Sequence, residues 1–175
     1  MNLVIYKTSC PNCKRAIGDE RLKAGFPCSK CLVLRGEKKI EICSQLKKRR
    51  KLRGMRKYCE VQKKFEEYKK FFERCIGSFP ENLQENWIKR VLFGESFAIV
   101  APPGVGKTTF GIVTSLFLKG KSFFVVPTRL LATQTGERLE ALSKKARVKR
   151  KIFVYSSSKG DKERLKRGDF DGPHD

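Results

Sequence analysis

The sequence predicts an α/β protein: a small four-cysteine zinc ribbon followed by a P-loop domain built on a parallel sheet. Three observations predict it. Two Cys-x-x-Cys pairs stand near the start, and an Ala-Pro-Pro-Gly-Val-Gly-Lys-Thr turn joins an apolar run to an apolar-periodic segment. Beyond that turn, short apolar runs alternate with stretches of helical periodicity. Strand and helix in alternation imply right-handed crossovers and a parallel sheet covered on both faces.

The first element is the pair of knuckles. Cys10 and Cys13, then Cys28 and Cys31, leave 14 residues between the pairs, a spacing by which four thiolates converge on one tetrahedral Zn²⁺. A segment of this size cannot bury enough apolar surface to fold unaided, so the metal is expected to be structural. Four protein ligands leave no open position for water, which excludes metal catalysis here. A redox dithiol is the poorer reading, because two pairs occur and no βαβ pattern surrounds them. Cys43, Cys59 and Cys75 fall outside the knuckles and are expected to be buried or incidental thiols. His174 is read as tail, not ligand.

Charge points to a polyanion. The 175 residues carry 40 Lys and Arg against 18 Asp and Glu, a formal net charge of +22. Such an excess is costly through self-repulsion unless nucleic acid neutralises it. A charge-rich thermophile surface accounts for the abundance of charge but not for its single sign. The excess is concentrated at 47–57, where Lys47, Lys48, Arg49, Arg50, Lys51 and Arg53 are followed by Arg56 and Lys57 with no acid among them. That run is expected to hold phosphate backbone with strong salt dependence and without base specificity.

Tyr58, Val61, Phe65, Tyr68, Phe72 and Cys75 recur every three or four residues, which lays them on the core-facing side of one helix. A helix packed on the following domain explains these aromatics better than base stacking does. The pattern divides the chain into a zinc-binding module at 1–42, a basic segment with a linking helix at 43–77, and a nucleotide-binding domain at 78–175. No run reaches the ~18 apolar residues of a membrane span, and the N-terminus lacks the charged flank of a signal peptide. The expected compartment is the cytoplasm, where reduced thiols and metal sites prevail over disulfides.

In the nucleotide-binding domain, 80–93 reads as a helix stopped by Gly94, 96–101 as a strand, and 107–118 as a helix stopped by Gly120. A strand at 123–126, a helix from 129 to 145 and a strand at 151–155 follow. The turn between the first strand and the second helix is a phosphate loop. Gly104 and Gly106 let backbone N–H groups face phosphate, Lys107 reaches the β/γ oxygens and Thr108 offers a hydroxyl to Mg²⁺. Ala101 stands where the strict pattern has glycine, and Pro102, Pro103, Val105 and Thr109 complete the segment.

These residues resemble the first RecA-like domain of superfamily 2 helicases, and more closely the amino-terminal part of the reverse gyrase family, ATP-dependent DNA topoisomerases that introduce positive supercoils in hyperthermophiles. Ala101 to Thr108 matches the helicase form of the loop, continued by Thr109-Phe110-Gly111. Phe79 and Gln84 look like the Q motif, whose glutamine reads the adenine edge. Pro127-Thr128-Arg129 resembles a segment that touches nucleic-acid backbone, and Tyr155-Ser156-Ser157-Ser158 the next strand end. A four-cysteine module ahead of this domain is the reverse gyrase order. The resemblance, over residues 3 to about 171, implies ATP with Mg²⁺ as ligand and DNA as partner; the alternatives are a zinc-dependent nucleic-acid-binding module with a vestigial loop and a fragment of another DNA or RNA helicase, which rests on the same loop and differs only in substrate.

It also implies parts that this sequence does not display. Helicase hydrolysis uses an acidic pair for Mg²⁺ and arginines from a second RecA-like domain. Here Gly168-Asp169-Phe170-Asp171 meets Gly172-Pro173-His174-Asp175 rather than an apolar strand. The expectation is an incomplete RecA-like domain, from a fragment, a disrupted gene product or one half of a split enzyme completed by a second polypeptide. Hydrolysis by the chain alone is expected to be negligible.

Overall fold

The computed structural model describes residues 5–33, 41–156 and 159–168. The chain divides into two compact units, 1–64 and 65–175. Ser157, Ser158 and the tail with Asp169, Asp171, His174 and Asp175 lie outside the described residues.

The first unit is a small two-stranded module built around four clustered cysteines. Strands β1 (Ile5–Tyr6) and β2 (Ile17–Gly18) pair antiparallel, Ile5 opposite Gly18 and Tyr6 opposite Ile17. The first knuckle lies between them. Helix α1 (Asp19–Lys23) follows β2 directly and ends where Phe26 N donates to Arg21 O at 2.8 Å; the second knuckle comes next. Helix α2 (Ile42–Lys48) precedes the basic segment. Cys10, Cys28, Cys31, Ile17, Leu32, Leu46 and Met55 form the buried core. Two-residue strands and so few apolar side chains are too little for independent stability, so the four thiols sit where the core needs reinforcement.

Cys43 and Cys59 are joined in a disulfide, with Cα atoms 5.5 Å apart. This corrects the expectation of free thiols: the first turn of α2 and the first turn of the next helix meet at this pair, and that proximity is invisible in a sequence separation of 16. Cys75 is buried and free, as expected.

Helix α3 (Arg56–Ile76) starts in the first unit and ends in the second. The expected stripe is present: Val61, Phe65, Tyr68, Phe72 and Cys75 are buried, joined by Phe71. Tyr58 departs from it and is 38% exposed. In the second unit α3 packs with α4 (Asn82–Phe93) and α5 (Lys107–Phe117) through Ile88, Phe110, Ile112, Val113 and Leu116, with Ala146 from α6 (Arg129–Ala146). Tyr68 meets Phe117 edge-on at 5.2 Å, and Trp87 meets Phe110 at 5.3 Å. Burying side chains of this size is worth about 1.5–3 kcal/mol each. The Tyr68 hydroxyl is satisfied by Thr114 Oγ1 at 3.1 Å, which removes the penalty of burying it. A last helix, α7, spans Lys159–Lys166.

Among the described residues the expected parallel sheet is not formed. The sheet there consists of β1 and β2 alone, and 96–101, 123–126 and 151–155 are irregular. They nevertheless keep a two-residue alternation. Phe97, Ile99, Val126, Ile152 and Val154 are partly buried, whereas Val100, Phe123 and Val125 are exposed. Phe124 and Val154 press on the helices so closely that a Cβ at Gly111 or Gly136 would meet them at 3.1 and 2.3 Å. Parallel strands hold when both faces are buried, and here Val100, Phe123 and Val125 are exposed.

Candidate zinc, nucleotide and nucleic-acid sites

The metal site is built by the two knuckles. The sulfurs of Cys10, Cys13, Cys28 and Cys31 all lie within 4.8 Å of one another, and Cys13 and Cys28 Sγ are 3.5 Å apart. Zn–S bonds of about 2.3 Å in a tetrahedron require sulfurs about 3.8 Å apart, so the donor set fits zinc with little adjustment. Burial works to raise the Cys10 thiol, but backbone N–H groups of Cys28, Cys13 and Asn12 aimed at its sulfur bring it down to about 6. Burial pushes Cys31 up to about 12 and Cys13 upward. A bound metal would draw the protons off the sulfurs it ligates. All four positions are protein sulfur, so bound zinc would shape the fold and catalyse nothing.

Two side chains absent from the sequence-based site brace the knuckles. Arg21 donates to Pro27 O at 2.9 Å and Leu32 O at 2.6 Å, holding both ends of the second knuckle. Asn12, inside the first knuckle and 2% exposed, ties that knuckle to the basic run. Its Nδ2 donates to Lys51 O at 2.8 Å, its Oδ1 accepts from Arg53 N at 2.9 Å, and its carbonyl accepts from Gly54 N at 2.9 Å. Gly54 must be glycine, since a Cβ there would stand 2.5 Å from Pro11 O. The only sequence signal for this clasp is an amide residue between two metal-binding cysteines.

The clasp fixes the basic segment. Lys47 and Lys48 end α2, Arg49 caps it, and Arg50, Lys51 and Arg53 follow before α3 opens with Arg56 and Lys57. All eight side chains are exposed. The Lys51 ammonium donates to Lys30 O at 2.8 Å, a second tie to the zinc knuckles. The Cys43–Cys59 disulfide closes the whole run into one loop.

In the second unit the phosphate loop takes the shape its glycines permit. Gly104 and Gly106 have φ of +89° and +76°, a region costly for residues with a Cβ. Gly106 caps α5 with no side chain bonded to the helix's first N–H groups, which leaves donors and the positive end of the helix dipole facing the loop. The Lys107 ammonium donates to Ala101 O at 2.7 Å and Pro102 O at 2.8 Å, spanning the loop. Pro102, Pro103 and Thr108 are exposed, Val105 is half-buried, and Thr109 Oγ1 accepts from Arg138 of α6 at 3.1 Å.

Gln84 lies at the same place. Its Oε1 accepts from Glu81 N at 3.1 Å within the capping box that opens α4. Its Nε2 is so near Gly106 that a Cβ there would meet it at 2.5 Å. Two segments 22 residues apart in sequence therefore meet at the loop. Phe79 is exposed. Thr128 commits its hydroxyl as the N-cap of α6, accepting from Leu131 N at 3.2 Å, with Arg129 exposed beside it. Ser156 donates through N and Oγ to Asp161, both at 2.8 Å.

Two glycines at positive φ before a helix start have a glutamine brought against them, and residues 81–174 match the DEAD/DEAH box helicase family. The chain belongs to that family. Residues 1–53 match the reverse gyrase zinc finger. The chain is 46% identical over 171 residues to reverse gyrase 2 of Aquifex aeolicus, covering 98% of this chain and 15% of that protein. Against the reverse gyrase of Methanocaldococcus jannaschii it is 38% identical, over 96% of this chain and 11% of the relative. With that of Pyrococcus furiosus the figures are 37%, 95% and 15%. Both parts of the chain are thus similar to reverse gyrases, and the chain spans between 11 and 15% of the length of these three relatives. No described helix is long and apolar enough to cross a membrane.

Proposed function

We propose that this chain is the portion of a reverse gyrase that binds ATP and grips DNA. A zinc-binding module at 1–42 braces a basic segment and linking helix at 43–77, and an ATP-binding RecA-like domain occupies 78–175. The observation that carries this reading is the phosphate loop itself, two glycines at positive φ before an uncapped helix start with Gln84 against the second. Gln84 would read adenine, backbone N–H groups of 104–108 and the Lys107 ammonium would hold phosphate oxygens, and the Thr108 hydroxyl would offer a ligand to Mg²⁺. The 47–57 cations and Arg129 hold DNA phosphates.

The loop residues supply no carboxylate to hold Mg²⁺ or orient water, so turnover and supercoiling fall to other parts of the enzyme. Those parts would be further polypeptide, continuous or separate, that also covers the exposed apolar side of 96–101, 123–126 and 151–155. The decisive experiment is calorimetry on the zinc-loaded chain. Micromolar binding of ATP with Mg²⁺, abolished in Lys107→Ala while salt-sensitive DNA binding persists, supports the reading.

One observation favours a second reading, a nucleic-acid-binding module whose loop is vestigial. Two of the three N–H donors of Lys107 are taken by its own loop's carbonyls. DNA binding with no nucleotide affinity in the unaltered chain selects that alternative.

A further inference from the structure

The first unit has an apolar hollow that neither zinc nor the basic run explains. It measures about 360 Å³ and is lined by Pro11, Leu22, Gly25, Phe26, Gly54, Met55 and Tyr58. One wall comes from the first knuckle, one from the end of α1, and one from the basic segment and the start of α3. Leu22 and Tyr58 stand exposed at 37% and 38%. Tyr58 is the one member of the α3 stripe that does not enter the core.

We infer that this hollow receives an unstacked nucleobase of single-stranded DNA, with the phosphates on either side held by the disulfide-closed basic loop. Size and lining fit one base, since pockets for small organic ligands begin at about 300 Å³ and are mostly apolar. Single strands are held by combining cationic tracks with aromatic faces on which any base stacks. Here the two are interleaved residue by residue: Arg53 precedes Gly54 and Met55, and Arg56 and Lys57 separate Met55 from Tyr58. Those cations are sequence neighbours of the lining residues, so a phosphate held by them and a base in the hollow can belong to one strand. Charge selects this occupant over a peptide or a second copy of this chain, because the loop from 44 to 58 carries eight cations and no acid. Duplex DNA keeps its bases stacked and presents none to such a hollow.

This inference rests on the basic run gripping DNA, and the test separates the two. Fluorescence anisotropy compares the zinc-loaded chain on a single-stranded oligonucleotide, the same length made abasic, and a duplex. The base-bearing strand is expected to bind about five- to tenfold tighter than the abasic one. Tyr58→Ala erases that difference, Tyr58→Phe keeps it, and neither changes zinc content. Equal affinity for base-bearing and abasic strands in the unaltered chain overturns the hollow while leaving the DNA grip standing. So does a base preference that survives Tyr58→Ala, or sedimentation showing a dimer that buries Tyr58. Absence of binding to every oligonucleotide at low salt overturns both.

Discussion

Asn12 does at the scale of one residue what the zinc unit does as a whole. It is buried between two metal-binding cysteines, and its amide is satisfied in both directions by backbone of the basic segment. Replacing it leaves Lys51 O and Arg53 N without partners, at about 1–3 kcal/mol for each group that stays buried. Asn12→Ala is expected to lower the stability of the zinc-loaded first unit by roughly 2–3 kcal/mol and to weaken DNA binding, with zinc stoichiometry unchanged. Chemical denaturation, metal analysis and anisotropy on the same preparation check this; loss of zinc would show that Asn12 serves the metal rather than the segment. Gly106 is constrained differently. Its positive φ and the nearness of Gln84 both exclude a side chain, so backbone conformation and a neighbour fix one residue together.

Among the elements, α3 changes partners along its length. Its later turns enter the aromatic core of the second unit, while its first turns carry Tyr58 beside the hollow and Cys59 in the disulfide. A cross-link over a loop of this length restricts the unfolded chain by about 3 kcal/mol. Cys43→Ser with Cys59→Ser is expected to lower the melting transition of the first unit by that order, and reduction of the unaltered chain to reproduce the change. Differential scanning calorimetry with and without reductant checks it; an unmoved transition would mean that packing of α2 on α3 suffices. The first turn of α3 carries cations and no acid, opposed to the helix dipole. Local stability is given up there in keeping the basic surface continuous.

For the whole molecule, the three segments that alternate without pairing are the informative feature. Val100 and Val125 are 98% and 95% exposed, far from the usual state of valine in a nucleotide-binding domain. Substituting a side chain with no folded-state contacts changes stability by less than about 0.5 kcal/mol. Val100→Thr with Val125→Thr is therefore expected to leave the melting temperature unchanged while reducing binding of an apolar dye and aggregation. Dye titration and light scattering check this. A large loss of stability would mean that the segments pair in solution. A surface of this kind needs cover, consistent with a chain that spans between 11 and 15% of its three compared relatives.

The convergence of four thiols, the two-glycine turn before α5 and helices α3 to α6 were legible in the sequence because each is a local pattern. Cys-x-x-Cys converges by its own turn, two glycines bend their own backbone, and apolar spacing lays out its own helical face. Tertiary structure alone decided the Asn12 clasp, the disulfide, the outward turn of Tyr58 and the absence of the parallel sheet among the described residues. Asn12 reaches partners 39 and 41 residues away, and Cys43 meets Cys59 across a sequence separation of 16. A strand's alternation likewise states which sides can be buried, but hydrogen-bonded neighbours and cover on both faces determine whether a ladder forms. Local conformation follows from short-range sterics and spacing, whereas these features depend on which surfaces meet when the chain packs.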